Sequence, residues 1–419
     1  MDIALRPRTA SVTSPWSRIV SRCPIGLLCA PVCEKGSLDV VVPNLTRSGE
    51  YSMTVSEERR RFLEVAMCSL LAACGDGGGS GTNGGDPGPV SERNITDAVA
   101  QLDRLVAELM ASTGVPGVAV AVVQGERTIF AKGFGTRRVG AQSPVDADTV
   151  FQLASVSKSV GATVVAREIG LGHVAWAQPI AGLLPWFALA DPQATKLVTI
   201  GDLYAHRAGL PEHIGDRLED MGYDQRQVLE RLRYVKLDGF RTKYDYTNFG
   251  LTAAGIATAA AAGIDWATLS EQAVYAPLGM TRTSSRFADF VGRSNRVSGH
   301  RKLDGKWVVN ELRMPDAQAP AASVTSSVND LAKWLAMMLG QSVFGGRRLV
   351  DAAALAAAVS PQIETAPARE GRAADYYGYG FNVSTTAAGA RLTATRVLSA
   401  WARPRRSRWC RRPASPSSR

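Results

Sequence analysis

Between Cys74 and Cys410 the chain has no cysteine; its six are Cys23, Cys29, Cys33, Cys68, Cys74 and Cys410. That gap excludes a cysteine nucleophile, and any disulfide, within the body of the protein. Histidine is scarce too. His173, His206, His213 and His300 show no metal-ligand spacing, so they are read as structural, and neither a metal nor a cofactor is expected. No run of roughly eighteen apolar residues occurs, so no membrane-spanning helix is expected. Charge is also thin where the chain is longest. The net charge is +10, but residues 391–419 hold nine arginines and no acid, and residues 1–92 hold nine basic and ten acidic side chains. The remaining 93–390 carry 30 basic and 28 acidic groups. A nearly neutral body gives no reason to expect a nucleic acid partner.

What is present is an ordinary globular composition: 419 residues, 45% apolar and 21% charged, enough for one large domain or two smaller ones. Residues 1–52 carry no assignable signal. Residues 53–74 have the layout of an export signal. Arg59-Arg60-Arg61-Phe62-Leu63 resembles a twin-arginine pattern, a short apolar stretch interrupted by Glu64 follows, and Leu71-Ala72-Ala73-Cys74 resembles a bacterial lipobox. Cys74 is therefore the expected lipidation site. It implies an exported protein on the bacterial cell envelope, facing the periplasm and held to the membrane by a lipid anchor only. Residues 75–92 are Gly-rich and read as a flexible tether. The body spans 93–394, and 395–419 is a basic tail.

Within the body, Ile95, Val99, Leu102, Leu105, Val106 and Leu109 recur at helical spacing and predict one amphipathic helix over 94–112. Gly117 to Val123 and Thr128 to Phe134, joined by a turn at 124–127, predict a hairpin. Thr149 to Gln152 is a short extended segment, residues 160–360 are mostly helical, and Tyr376 to Val383 reads as a strand. The fold expected is α+β, a three-layer α/β/α-like arrangement. Its antiparallel sheet is built from both chain ends, with a mostly helical region inserted between them.

The chemistry-bearing pattern is Ser155-Val156-Ser157-Lys158, at the point where an extended segment becomes a helix. One helical turn puts the hydroxyl and the amine on one face, and a neighbouring amine can take the proton of a serine nucleophile. The same tetrapeptide also fits an N-cap serine followed by a solvated lysine. Tyr246-Thr247-Asn248 supplies possible partners: a phenol that can move a proton if a cation lowers its pKa, and an amide that can hold a substrate and the lysine together. Asn248 also fits an N-cap for the Ala-rich run that ends at Gly263. Ser327-Val328-Asn329 is a competitor for the second pattern. It sits three residues before Asp330, at the start of an apolar helical stripe, and is read as a cap rather than a site.

Together with Leu203-Tyr204-Ala205-His206-Arg207-Ala208-Gly209-Leu210-Pro211, Pro277-Leu278-Gly279-Met280 and Tyr377-Gly378-Tyr379-Gly380-Phe381, these motifs make residues 93–390 resemble the serine β-lactamase and penicillin-binding-protein superfamily. The nearer likeness is to class C β-lactamases, their esterase cousins and D-aminopeptidases. Ala208 stands where that family usually has serine. The resemblance implies the β-lactamase/transpeptidase-like fold and acyl transfer through Ser155, with Lys158 as base. Tyr246 relays the proton to the leaving group, Asn248 orients the substrate, and the Ser155 N–H forms one arm of an oxyanion hole. It implies a monomer acting on a small molecule or peptide: a β-lactam, a D-amino-acid peptide or an ester.

The family's third motif, Lys or His, then Ser or Thr, then Gly on a late strand, has no match after Phe381. Reading the codons from Ala394 one base earlier permits His-Ser-Gly followed by a strand-like run, so 395–419 is expected to be a frameshift product, the rival reading being a genuine basic tail for nucleic acid or anionic lipid. Without that strand and its successors, the sheet is expected to expose an unpaired edge beside 376–383 and the chain to fold poorly. Acylation is expected to be slow, since one lost oxyanion donor costs about 10²–10³ in rate. Two other functions stay open at this point: an envelope lipoprotein that binds cell-wall fragments without catalysis, and a product without function.

Overall fold

The computed structural model describes residues 25–31, 39–42, 92–369, 373–385 and 391–395. In chain order, the elements that matter here begin with strands β1 (Ile25–Pro31) and β2 (Asp39–Val42) and helices α1 (Glu92–Ala100) and α2 (Leu102–Thr113). Strands β3 (Gly117–Gln124) and β4 (Arg127–Gly135) follow, then helices α3 (Val156–Gly170), α4 (Asn248–Ala262) and α5 (Val328–Leu339). Strands β5 (Ile363–Ala366), β6 (Asp375–Tyr377), β7 (Asn382–Thr385) and β8 (Arg391–Thr395) close the described chain.

Strand β3 shows why the layers form. Its apolar residues alternate between two cores. Val118, Val120 and Val122 meet Ile95, Leu102 and Val106 of the N-terminal helices, while Ala119, Ala121 and Val123 join the main core with α3, α4 and α5. A strand covered on both faces reads as an unbroken hydrophobic run rather than an alternating one. The arrangement is α+β with helices on both faces of an antiparallel sheet, as expected. The helix predicted over 94–112 is two helices that meet at Gln101, yet their apolar residues still face one side of β3.

Among the described residues the sheet has eight strands in the order β5-β6-β7-β8-β2-β1-β3-β4, each pair antiparallel. Two expectations are corrected here. The strand predicted over Tyr376–Val383 is a hairpin: β6 pairs with β7 around residues 378–381, where the Gly378 N–H donates to the Phe381 carbonyl and Gly380 takes φ 81°. The sheet does not end in an unpaired edge beside it, because β8 pairs with β7 and β2 pairs with β8. Within the stretch 1–52 that the sequence left unassigned, β1 pairs with β3 over seven residues, and the β1–β2 hairpin bridges the two halves of the sheet. The late strand expected to carry a third motif is present as backbone, in β8, but with the residues Arg-Leu-Thr-Ala-Thr.

Residues 43–91, with the export signal and Cys74, lie outside the described residues, as does the tail from 396. Cleavage ahead of Cys74 would remove β1 and β2, so a lipid anchor at Cys74 and this eight-stranded sheet cannot belong to the same molecule. Among the described residues no helix is long and apolar enough to cross a membrane.

A chain beginning at Met53 loses two interior strands. It is expected either to fail to fold or to melt at least about 10 °C below the full chain, since each lost kcal/mol lowers Tm by a few degrees in a domain of this size. Equal melting temperatures for the two chains would show that β1 and β2 do not belong to the sheet.

Candidate active site

Residues from four separate stretches meet at the start of α3. Ser155 stands immediately before this helix, but its hydroxyl caps nothing. The N-cap reading of Ser155 therefore gives way to another. Ala154, just ahead of it, holds φ 45°, a left-handed conformation that costs free energy in any residue with a Cβ and is concentrated at functional sites. The Ser155 Oγ lies 2.6 Å from the Tyr246 hydroxyl and accepts from Lys158 Nζ at 3.2 Å.

Lys158 is not the solvated charge of the bland reading, because only 1% of it is exposed. Its amine also donates to Asn248 Oδ1 at 2.8 Å and to the Ala321 carbonyl at 2.9 Å, and it sits 4.7 Å from the centre of the Tyr246 ring. Burial pushes its pKa from 10.5 to about 7. The Asp216 carboxylate works against that fall and the Arg313 guanidinium adds to it. With the proton gone, two N–H bonds can serve Asn248 and Ala321 while the lone pair faces the serine hydroxyl.

Tyr246 departs from expectation in one respect. Its phenol is not made more acidic by a neighbouring cation. Burial raises it well above the usual tyrosine range, and the bond to Ser155 offsets only part of the rise. Tyr246 is a neutral hydroxyl, able to donate and accept but not to serve as the resting base. Its ring is packed by His206, at 4.7 Å between centroids, and His206 in turn meets Tyr244 and Tyr377. The His206 Nδ1 accepts from the Thr247 N–H at 3.2 Å. Burial, then the charges of Lys158 and His213, hold this imidazole well below its ordinary range, so it stays neutral.

Asn248 is the first residue of α4 and Thr247 is the N-cap, one position earlier than the sequence suggested. The Asn248 amide is committed at both ends: Oδ1 accepts from Lys158, and Nδ2 donates to both oxygens of Asp216 at 3.1 Å. Asp216 also accepts from His213 Nδ1 at 3.0 Å, and the His213 N–H donates to the Tyr246 carbonyl at 2.9 Å. Sequence reasoning missed Asp216, His213 and the Ala321 carbonyl. His213 had been read as structural; it lies only two residues beyond Pro211 of the Gly209-Leu210-Pro211 loop, and that was the one available signal. Ser327 and Asn329, by contrast, do what the sequence implied. The Ser327 Oγ accepts from the Asp330 N–H, and Asn329 donates to Asp148.

The β6–β7 hairpin is held directly against α3. Ser159 Oγ donates to the Gly380 carbonyl at 2.5 Å, and a Cβ on Gly380 would lie 2.5 Å from the Lys158 carbonyl oxygen. The Tyr377-Gly378-Tyr379-Gly380-Phe381 segment thus seats the helix that carries Lys158 and begins directly after Ser155. Among the described residues no cluster of three or more His, Cys, Asp or Glu side chains is arranged to hold a metal ion.

The Beta-lactamase family model matches residues 102–404. Unguisins hydrolase ungD of Aspergillus violaceofuscus is 27% identical over 263 residues, 59% of this chain and 46% of its own length. Penicillin-binding protein 4 of Amycolatopsis lactamdurans is 27% identical over 255 residues, 58% of this chain and 64% of its own length. The D-alanyl-D-alanine-carboxypeptidase/endopeptidase AmpH of Escherichia coli is 23% identical over 206 residues, covering 47% of this chain and 51% of its own length. The chain therefore spans roughly half to two thirds of these curated relatives. The solved octameric penicillin-binding protein homologue from Pyrococcus abyssi shares the fold, with a TM-score of 0.60 and 19% identity over 71% of this chain and 73% of that one.

Replacing Gly380 with alanine meets two penalties, the left-handed backbone and the contact with the Lys158 carbonyl. Gly380→Ala is expected to destabilise the protein by about 2–4 kcal/mol in chemical denaturation. An unchanged midpoint would show that the hairpin is not seated on the helix as described.

Proposed function

The chain belongs to the beta-lactamase family, and from that membership we propose that it is a serine hydrolase that transfers acyl groups through Ser155. The observation that carries the proposal is the Lys158 amine, dry, lowered to about 7, and 3.2 Å from the Ser155 Oγ. A base whose pKa lies near the working pH is matched to general base catalysis.

In the proposed reaction the Ser155 oxygen bonds to a substrate carbonyl carbon while its proton passes to the Lys158 lone pair. The bond to the leaving nitrogen or oxygen then breaks. Tyr246, 2.6 Å from Ser155, delivers a proton to that leaving group and regains one from the lysine side. The product of this half-reaction is an ester on Ser155. Water adds to it with the same groups as base, releasing the acid and the free hydroxyl. The Ser155 N–H, ahead of α3, supplies one oxyanion donor. Asn248 acts by holding the lysine, and reaches substrate only with what its bonds to Lys158 and Asp216 leave over.

The substrates proposed are amides and esters of the kind the family takes: β-lactams, D-amino-acid peptides or simple esters. The names of the relatives, a D-alanyl-D-alanine-carboxypeptidase/endopeptidase and a penicillin-binding protein among them, support a peptide or lactam amide. Because β8 carries no Lys/His-Ser/Thr-Gly, the carboxylate anchor that this motif supplies in the family lacks its side chains. Acylation is therefore proposed to be slow relative to members that have the motif.

A fluorophosphonate or fluorescent penicillin probe tests the proposal. Wild type is expected to be labelled, and Ser155→Ala is expected to lose labelling while keeping its melting temperature. The sign of the pH dependence follows from Lys158. The amine is a base only when deprotonated, so labelling should rise with pH through an inflection near 7. Labelling that survives in Ser155→Ala, or a rate flat from pH 5 to about 9, would defeat the assignment.

A further inference from the structure

An amide such as Asn248 has one accepting and one donating end, and which end faces the lysine decides whether the pair attracts or repels. A carboxylate only accepts and an amine with its N–H bonds donates. In this site the Asn248 Nδ2 is turned to both oxygens of Asp216 at 3.1 Å, and Oδ1 to Lys158 Nζ at 2.8 Å. Turned the other way, the amide would set a donor against the lysine and an acceptor against the carboxylate. Both contacts would be lost together, in a buried place where unmade polar contacts are costly.

Local structure puts Asp216 in position for this. It opens a short helix, Asp216–Asp220, behind Gly215, which takes φ 92° and leaves no room for a Cβ: one there would lie 2.8 Å from the Phe249 ring and from the Val228 side chain. Phe249 is the neighbour of Asn248 in α4. The close approach at Gly215 is what lets the carboxylate reach the start of α4.

We propose that Asp216 is a positioning residue for the reaction, fixing the Asn248 amide and, through it, the seat and charge of the Lys158 amine. This rests on the reading of Ser155 and Lys158 as nucleophile and base. It goes further in assigning a role to a residue outside the Ser-x-x-Lys and Tyr-x-Asn patterns. The charged groups around Asp216 come from every side of the site. His213 bonds to it, with Glu212 at 3.9 Å from the other ring nitrogen. Lys158 feels its charge from α3, together with that of Arg313. Glu219, on the same short helix, is tied to Arg313 and Gln318. His213 is held above its ordinary range by its bond to Asp216. The carboxylate favours the protonated lysine and sets a floor under the fall that burial causes.

The test is the rate of probe acylation against pH in the purified full chain, for wild type, Asp216→Asn and Asp216→Ala, with melting temperatures measured alongside. Asp216→Asn removes the charge but keeps an accepting oxygen. Its acid limb is expected to move to lower pH by about one unit, because a nearby opposite charge typically shifts a pKa by one to three. Asp216→Ala removes the hydrogen bonds as well. It is expected to lose about 10- to 100-fold in the plateau rate, the scale of a misplaced catalytic group. A residue with only a structural role would lower the melting temperature without moving the limb. Folded variants with the wild-type plateau and limb would overturn the inference while leaving Ser155 as nucleophile. A wild type that is not labelled at all would overturn both. If Asp216→Ala does not fold, the limb of Asp216→Asn decides.

Discussion

A lysine amine buried inside a protein must be compensated or neutralised, and that requirement organises this molecule. Lys158 lies on a helix covered on all sides, with the Asn248 amide, the Ala321 carbonyl and the Ser155 hydroxyl gathered around its nitrogen. Those groups come from α4, the segment before α5 and the residue ahead of α3. Each is brought in by packing that has nothing to do with chemistry. Gly215 allows the Asp216 loop to approach α4, Gly380 allows the β6–β7 hairpin to touch α3, and the His206–Tyr244–Tyr377 cluster dries Tyr246. The same burial that makes the site costly to build is what brings the lysine into the range where it can act as a base at neutral pH.

How much of this was legible in the sequence depended on whether a residue type carried the information. Ser155, Lys158, Tyr246 and Asn248 were found because hydroxyl, amine, phenol and amide at fixed short spacing are a recognisable set, and the structure brings all four together. The Ser327 cap was legible for the same reason. The Ala321 carbonyl was not, since every residue has one. Asp216 was not, because it is 32 positions from the Asn248 that it holds. The direction of the Tyr246 shift was misjudged because it depends first on burial, which short-range spacing does not report, rather than on the nearest cation. Helices α3 and α4 left no apolar stripe to detect, being buried around most of their circumference.

The sheet is where reading from the sequence went furthest astray. The hairpin β3–β4 was clear from its turn and its β-rich flanks. Strands β1 and β2 were not, because a seven-residue and a four-residue strand in an otherwise unassignable stretch carry no partner information. Their place between β8 and β3 replaces the unpaired edge that the missing third motif had suggested. It also gives the N-terminal residues a structural task that removal at a lipobox would cancel. Strand β8 supplies the backbone of the late strand without the side chains that the family uses there, so the sheet is more complete than the catalytic set.

The central claim is that Lys158 is held as an amine that gives up its proton near neutrality. Its titration can be followed directly in the folded wild type by NMR with isotope-labelled lysine, the signal being assigned by its absence in Lys158→Arg. The account predicts a single inflection near 7, set apart from the other lysines. An inflection at the ordinary value of about 10.5, with the solvent-exposed lysines, would contradict it.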